Sequence, residues 1–309
     1  MNTLEPILKV DNINKYYKNV QAVREVSFTL NRGDIFAFLG PNGAGKTTTL
    51  RILLDIIKAD SGEIEWNISD KKGKYPNVND IGYLPEERGL YIDVPVIKSL
   101  VYLASIRGAN PKDAKKSAYE WLEKLDLLDR AKEKLQVLSK GNQQKIQFIA
   151  SILHKPKFAI LDEPFSGMDP INQEKFIDYI KEINNTGTTI LLSSHQMQLV
   201  EKIANKVFLI NDGKELYNGK LADIYHQYQS QLSLELKFVE NYNEEDLLKT
   251  PDLLFIDKLN SQSCRLLFSE TAQLTQVLQH LSKFSNITSI NSYSMNLHDI
   301  FVKLIKEKK

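Results

Sequence analysis

Eight consecutive residues of this sequence have the types and spacing of a phosphate-binding loop. They follow the apolar run 35–39 and are Gly40, Pro41, Asn42, Gly43, Ala44, Gly45, Lys46 and Thr47. Glycines adopt the backbone angles that turn successive N–H groups toward one centre, where they bind phosphate oxygens. The lysine adds positive charge, the threonine hydroxyl can bind Mg²⁺, and a helix from about Gly45 would point its positive end at the anion. The pattern, with Thr48 next to it, predicts a site for a nucleoside triphosphate.

Two adjacent carboxylates, Asp162 and Glu163, end a second apolar run that begins at Phe158. Ligands bind at the carboxyl ends of parallel strands. Asp162 can hold Mg²⁺ directly or through water, and Glu163 can accept a proton from an attacking water as a general base. The alternative is a strand that simply stops in a polar turn. The phosphate loop upstream favours the catalytic interpretation.

Strand-like and helix-like segments alternate along the first part of the chain. Strands are predicted near residues 8–10, 26–30, 35–39, 158–162, 189–193 and 206–210. Helices between them predict an α/β domain with a parallel sheet. From about 95 to 140 the apolar spacing is helical only, which predicts a helical insertion. Gly213, Asn218 and Gly219 predict a short hairpin.

A second domain is predicted at 223–309, after a first domain at 1–222, because the composition shifts beyond Leu221. Its segments are interpreted as a strand, a helix, two strands, a helix, a strand and a final helix from Leu297. That order predicts a small split βαβ module. No catalytic constellation occurs in it. The closing lysines are interpreted as a solvated helix end rather than a membrane contact: Lys303, Lys306, Lys308 and Lys309.

The composition excludes several classes of protein. The 40 basic and 39 acidic residues of the 309 nearly cancel, which argues against a nucleic-acid partner held by a strong positive field. No run of about 18 apolar residues is present that could cross a bilayer. The N-terminus lacks the pattern of a signal peptide, so we expect a protein of the cytosol. The single Cys264 forms no internal disulfide.

Further segments resemble the ATP-binding cassette (ABC) family in order and spacing. Residues 138–144 are similar to its signature motif, and residues 193–195 resemble its switch-histidine segment. Residues 166–169, which end at Asp169, resemble the loop after the catalytic glutamate. Residues 15–17 resemble the aromatic loop, in which Tyr17, rather than its neighbour Tyr16, would stack on adenine. The resemblance extends from residue 7 to about residue 222.

The resemblance implies a P-loop NTPase of the ABC ATPase type, an α/β fold with a helical subdomain insertion, followed here by a small C-terminal α+β domain. It implies ATP hydrolysis with Mg²⁺. His195 would hydrogen-bond the γ-phosphate and orient the attacking water. The signature residues would contact ATP across a dimer: Ser139, Lys140, Gly141, Asn142 and Gln143.

The sequence departs from the family pattern in two places. Glu86 stands where the family usually has Gln, and an anionic side chain can still bind Mg²⁺ or its water. Glu86 therefore joins Thr47 and Asp162 as a predicted metal ligand. Lys140 and Asn142 replace the commoner Gly and Gln of the signature, while Ser139 and Gly141 are kept.

The resemblance also implies partners. Two copies, or this chain and a paralogue, would face each other head to tail and act on a separate membrane-spanning permease, at the cytoplasmic face of the membrane. Residues 83–91 and 294–301 look like the bacterial exporter subfamily that includes sodium-extrusion subunits of the NatA type.

The competing hypotheses are a soluble cassette ATPase acting on ribosomes or DNA and a regulator without turnover. Sodium, a drug, a peptide or a lipid all remain open as cargo.

Overall fold

The computed structural model describes residues 6–68, 72–87, 89–229, 232–269, 271–293 and 295–307. The chain forms two compact units, Met1–Leu221 and Ala222–Lys309. Four residues named in the sequence predictions lie outside the described residues: Arg88, Ser294, Lys308 and Lys309. No helix of the described ranges is both long and apolar enough to cross a membrane.

An antiparallel sheet opens the first unit. Its strands are β1 (Pro6–Tyr17), β2 (Val20–Asn31), β4 (Ser61–Asn67) and β5 (Lys72–Gly73), in the order β2-β1-β4-β5. The prediction that the segments at 8–10 and 26–30 join a parallel sheet is therefore wrong. Only Lys18 and Asn19 separate β1 from β2, and so short a connection reverses the chain instead of allowing a parallel crossover.

The second sheet of this unit carries the predicted parallel strands. They are β3 (Ile35–Leu39), β6 (Ile81–Leu84), β7 (Phe158–Asp162), β8 (Thr189–Ser194) and β9 (Lys206–Asn211), and β10 (Lys214–Lys220) pairs antiparallel with β9. The order is β10-β9-β3-β8-β7-β6. Every residue of β3, β7 and β8 is buried, as expected where both faces of a parallel sheet are covered. Gly213 lies in the β9–β10 turn, but Asn218 and Gly219 lie within β10 instead of in a turn.

The helices of the first unit are α1 (Lys46–Leu53), α2 (Val96–Ile106), α3 (Pro111–Lys124), α4 (Lys140–Ile152), α5 (Pro170–Asn185) and the short α6 (Met197–Val200). Helices α2 and α3 occupy the segment predicted to be helical only. Asn110 caps α3 by accepting a hydrogen bond from Lys112 N at 2.9 Å. Between β2 and the parallel sheet, the rings of Phe28, Phe36, Phe38 and Phe208 pack with centroids 4.6 to 5.6 Å apart.

The second unit has the predicted split βαβ order. After α7 (Leu221–Gln229) come β11 (Ser233–Phe238), α8 (Glu244–Leu247), β12 (Leu253–Asn260), β13 (Ser263–Phe268), α9 (Leu274–Leu281), β14 (Ile287–Ser292) and α10 (Leu297–Glu307). The sheet order β12-β13-β11-β14 inserts β13 between β11 and β12, with all neighbours antiparallel. A core of its own lies between this sheet and α8 and α9, and includes Leu236, Cys264, Phe268 and Val277.

Candidate functional site

The phosphate loop joins the end of β3 to the start of α1. Gly45 has φ of 102°, a left-handed conformation that favours glycine, and a Cβ there would lie 2.3 Å from Ala22 O. A Cβ on Gly40 would approach Ile210 O equally closely. The Lys46 side chain is buried, and its Nζ donates to Gly40 O at 2.8 Å and to Pro41 O at 3.2 Å. The loop thus holds the lysine ammonium at its own centre.

Asp162 and Glu163 lie next to this loop. Lys46 Nζ is 3.6 Å from Glu163 Oε1, and Thr47 Oγ1 donates to Asp162 Oδ1 at 3.4 Å. Burial raises the pKa of Asp162 above its usual range, against hydrogen bonds from Ser193 and Thr47 that lower it, while the charges of Glu86 and Glu163 add to the rise. The sheet order explains the approach, because β3 and β7 flank β8 and all three end at one edge.

Two buried carboxylate oxygens of this pair, Asp162 Oδ2 and Glu163 Oε1, have no hydrogen-bond partner within the described part of the chain. Buried charged oxygens are costly unless something pairs with them. Mg²⁺ prefers carboxylate and hydroxyl oxygens and keeps several waters. Glu163 Oε1 has the Lys46 ammonium 3.6 Å away, whereas no ion pair joins Asp162 Oδ2 to another described residue, so the oxygens of Thr47 and Asp162 fit a magnesium ion.

His195 follows β8 at the same edge. Its Nδ1 lies 2.9 Å from Glu163 Oε2, and about half of its side chain, 48%, is exposed. Glu163 therefore lies between Lys46 on one oxygen and His195 on the other. The arrangement can orient a water beside a bound phosphate and accept its proton.

An open cavity of about 330 Å³ lies at this edge. Its lining residues are Ala22, Asn42, Gly43, Gly45, Lys46, Thr47, Thr48, Glu86 and Glu163. Glu86 thus shares this cavity with the phosphate loop, and its role as a metal ligand stays a prediction. The segment that carries Glu86 is fixed by Gln147 of α4. Gln147 Nε2 donates to Pro85 O at 2.8 Å and to Glu87 O at 3.2 Å, the residues on either side of Glu86.

The signature residues occupy the start of α4 and do not line this cavity. Ser139 caps the helix by accepting from Asn142 N at 3.3 Å, and Lys140 begins it. A Cβ on Gly141 would lie 3.0 Å from Gly167 O, which accounts for the glycine. Gln143 Nε2 donates to Leu135 O and Leu138 O, at 3.2 and 3.0 Å.

Tyr17 and Asp169 also lie outside the cavity lining. Tyr17 ends β1 with 47% exposure, and Lys15 Nζ lies 5.7 Å from its ring centroid. Asp169 caps α5 by accepting from Asn172 N at 3.0 Å, and its hydrogen bonds with Asn172 lower the pKa of Asp169. Their roles toward adenine and a second subunit stay predictions.

Besides Gln147, sequence reasoning missed two side chains that contact the carboxylate residues. Ser193 Oγ donates to Asp162 Oδ1 and accepts from Glu163 N at 3.1 Å. Gln144, which is buried, donates to Glu163 O at 3.4 Å and to Pro164 O at 3.3 Å. Both are polar residues at positions buried within a strand or helix, and that mismatch was a signal in the sequence.

A glycine-rich loop between a parallel strand and a helix, with a lysine inside it and paired carboxylates beside it, defines a P-loop NTPase. Comparisons with known proteins give the family. The ABC transporter family matches residues 23–166. The ABC transporter ATP-binding protein YhaQ of Bacillus subtilis is 35% identical over 301 residues, which are 97% of this chain and 98% of that protein.

Two other matches agree. The linearmycin resistance ATP-binding protein LnrL of Bacillus subtilis is 30% identical over 307 residues, 96% of this chain and 98% of that protein. A solved structure of the ATP binding subunit of an ABC transporter superposes with a TM-score of 0.64 at 27% identity, over 72% of this chain and 93% of that chain. The chain belongs to the ATP-binding subunits of ABC transporters. These are ATPases that bind ATP, in general with Mg²⁺, dimerise and work with a membrane permease.

Proposed function

We propose that this chain powers an exporter of the NatA-type subfamily through a separate membrane-spanning permease, with hydrolysis carried out by the residues at the carboxyl edge of its parallel sheet. The observation that carries the proposal is the position of Glu163 between Lys46, at 3.6 Å, and His195, at 2.9 Å. One carboxylate with a cation on one side and an imidazole on the other suits the activation of a water for attack on phosphate.

Each residue then has a distinct task. The backbone N–H groups of the loop and Lys46 bind the outer phosphates of ATP, and Glu163 accepts the proton of the attacking water. His195 holds the second carboxylate oxygen of Glu163 and donates toward the γ-phosphate. Mg²⁺, held by Thr47 and Asp162 with Glu86 nearby, would neutralise charge that develops on the phosphates. Tyr17 supplies an exposed ring for the adenine.

The signature residues act on the ATP of a second subunit. Ser139 and Gly141 lie at the N-terminal end of α4, a 13-residue helix whose positive end suits a phosphate. Because they do not line the cavity of their own chain, a head-to-tail dimer, of two copies or with a paralogue, supplies them to the partner's nucleotide. Asp169 would lie near that interface. ATP then stabilises the closed dimer, because it contacts both subunits.

A groove in the first unit is the proposed docking surface for the permease. It has a volume of about 230 Å³ and is lined by residues that include Tyr83, Pro85, Leu90, Ile106 and Gln147. Ile106 is 56% exposed, and exposed apolar side chains around a groove are typical of protein interaction sites. Since Pro85 and Gln147 border the Glu86 loop, docking and nucleotide binding share one segment. The chain would thus lie at the cytoplasmic face of the membrane.

Export is supported by one of the relatives that match both units. LnrL, whose alignment covers 96% of this chain, is a linearmycin resistance protein, and resistance is a phenotype that removal of a compound can produce. The two segments that look like the NatA-type subfamily belong to different units: 83–91 belongs to the first and 294–301 to the second. The cargo is not specified by either segment, because the transport path lies in the permease.

The test is an affinity capture of the Glu163→Gln variant from solubilised membranes of the native organism with ATP and Mg²⁺, followed by mass spectrometry. We expect a multi-spanning protein in stoichiometric amount. Ribosomal proteins or nucleic acid in its place would refute the transport function.

A matched pair of substitutions tests the groove in the same experiment. Ile106→Glu should no longer capture the membrane protein, while its ATP hydrolysis, measured in the absence of a permease, should be kept. Ile56→Glu changes a residue that is also 56% exposed but does not line the groove, and should keep both. Equal capture by the two variants would place the docking surface elsewhere.

A further inference from the structure

Ser193 lies between the two carboxylate residues of the site. It is the fifth residue of β8 and pairs directly with Asp162, the last residue of β7. Its side chain is fully buried. Its hydroxyl donates to Asp162 Oδ1 and accepts from the backbone N–H of Glu163 at 3.1 Å. One hydroxyl therefore connects both residues to a strand that carries neither of them.

The contact with Glu163 fixes an unfavourable backbone conformation. Glu163 has φ of 49°, in the left-handed region that is unfavourable for a non-glycine residue. Its N–H donates to Ser193 Oγ at 3.1 Å and to the backbone Ser193 O at 3.2 Å. Since this conformation directs the side chain toward Lys46 and His195, loss of the hydroxyl would leave only the backbone hydrogen bond to hold the carboxylate in that position.

The contact with Asp162 decides which of its carboxylate oxygens is available to bind a metal ion. Oδ1 accepts from Ser193 and from Thr47, whereas the buried Oδ2 has no hydrogen-bond partner among the described residues. A carboxylate held at one oxygen cannot rotate freely, so the other oxygen keeps one direction. The Ser193 hydroxyl thus orients a metal ligand as well as the general base.

We infer that Ser193 is a positioning residue for hydrolysis, which aligns Asp162 toward Mg²⁺ and Glu163 toward the attacking water without touching ATP itself. This inference rests on the proposed roles of Asp162 and Glu163. It assigns Ser193 a role that a serine retained only for packing would not have, because the hydroxyl serves as donor to one residue and acceptor from the next.

Thr189 provides the matched control. It begins the same strand, is equally buried, and its hydroxyl accepts from Gly33 N at 2.9 Å, away from the carboxylates. Thr189→Val removes a buried hydroxyl of β8 with little change in shape, so it reports the general cost of such a loss. Ser193→Ala removes the hydroxyl that contacts the site.

The first measurement is the affinity for a non-hydrolysable ATP analogue, with Mg²⁺ and with EDTA, by calorimetry on the full-length protein. Ser193→Ala should keep the wild-type affinity in EDTA and lose about 10-fold of the affinity gained with Mg²⁺, as expected for one hydrogen bond to a charged group. Its kcat should fall about 10- to 100-fold, and its KM for ATP with Mg²⁺ should rise by about the same 10-fold as the loss of affinity. Thr189→Val should match wild type in all three quantities.

Two further variants complete the test. In an Asp162→Asn background, Ser193→Ala should cause no additional loss of the Mg²⁺ gain, since coupled residues are not additive. Ser193→Cys, with a weaker donor in a similar volume, should give intermediate values and also serves if Ser193→Ala does not fold. The inference would be overturned if Ser193→Ala gained as much affinity from Mg²⁺ as Thr189→Val does and had the same kcat. It would also be overturned if Ser193→Ala lost equal affinity for the ATP analogue in EDTA and in Mg²⁺. If wild type does not hydrolyse ATP, the proposed function fails, but the Mg²⁺ gain still tests Ser193.

Discussion

The carboxylates of the two units have opposite surroundings. In the first unit, Asp162 and Glu163 each keep one buried oxygen without a hydrogen-bond partner among the described residues. In the second unit, Glu235 and Asp299 both pair with Arg265, at 3.0 and 3.3 Å. Glu163 Oε1 still has the Lys46 ammonium 3.6 Å away, so Asp162 Oδ2 is the oxygen of this pair that a ligand would have to satisfy.

The charges around Arg265 in the second unit are satisfied by one another. Besides its two carboxylate partners, the Arg265 guanidinium contacts the ring of Tyr293, whose centroid is 4.1 Å away. The buried side-chain atoms without a partner in the described part of this unit are hydroxyls: those of Tyr242, Thr250, Ser289 and Tyr293. An unpaired hydroxyl costs far less than an unpaired charge. The comparison fits the proposal that the first unit binds a cation and phosphate at Asp162 and Glu163, whereas the charges around Arg265 stabilise the fold of the second unit.

The largest expected effect comes from Glu163→Gln. The amide cannot accept the proton of water, so kcat should fall about 10²- to 10⁴-fold, while ATP binding persists and the ATP-bound dimer accumulates. Phosphate release and size-exclusion chromatography with ATP measure both results. Glu235→Gln removes a carboxylate of the second unit and should leave kcat unchanged. Ordinary turnover by Glu163→Gln would remove Glu163 from the general-base role.

Lys46→Ala should weaken ATP binding about 10- to 100-fold, because it removes a cation that the loop carbonyls hold at the phosphate site. Equilibrium binding of a fluorescent ATP analogue measures the effect. Lys303 is the control in the second unit, since it is also buried and lies 4.6 Å from the ring centroid of Tyr228. Lys303→Ala should change stability and leave the affinity for ATP as it is. Unchanged affinity in Lys46→Ala would argue against the phosphate cradle.

Arg265→Met should lower the free energy of unfolding by about 2 kcal/mol, because Glu235 and Asp299 lose their common partner in a partly buried place. Urea unfolding followed by circular dichroism measures the change, and kcat per folded molecule should be kept. Adding Glu235→Gln to Arg265→Met should recover part of the loss, since one uncompensated charge disappears. A stability equal to wild type would mean that these ion pairs contribute nothing measurable.

The sequence was sufficient for elements whose determinants are local. The phosphate loop is contiguous, β7 is an uninterrupted apolar run, and the strands and helices of the second unit were predicted in the correct order. The prediction of parallel strands between residues 6 and 31 was wrong. These two strands pair antiparallel across a two-residue turn that contains no glycine or proline to indicate it. Ser193 and Gln147 could not be assigned, because their partners lie 31 and 62 residues away in sequence. Long-range pairing of side chains follows from sheet order, which no local pattern contains.

The smallest expected effect concerns His154, a partly buried polar group of the first unit outside the ATP site. Its Nε2 hydrogen-bonds Ile81 O at 3.0 Å, whereas Nδ1 is buried without a partner among the described residues. Burial lowers the pKa of His154 below its ordinary value of 6.5, and the nearby Arg107 adds to this, against opposing contributions from the hydrogen bond to Ile81 and from Asp80.

The sign of the pH dependence follows from the direction of that shift. The unfolded chain binds a proton at His154 near pH 6.5, but the folded chain does so only at lower pH, so stability is lost as pH falls below about 6.5. His154→Gln keeps a donor for Ile81 O without titrating, and should reduce the fall in melting temperature between pH 7 and pH 5 by on the order of 2 °C. The exposed His226→Gln, in the second unit, should leave that fall as in wild type. At alkaline pH the sensitive group lies in the second unit, because burial raises the pKa of Cys264 to about 12. The unfolded thiol ionises near pH 9 and the folded thiol does not, so the second unit loses stability as the pH rises above about 9. An acid-side slope that His154→Gln leaves intact would mean that other groups of the first unit, and not this imidazole, set its acid sensitivity.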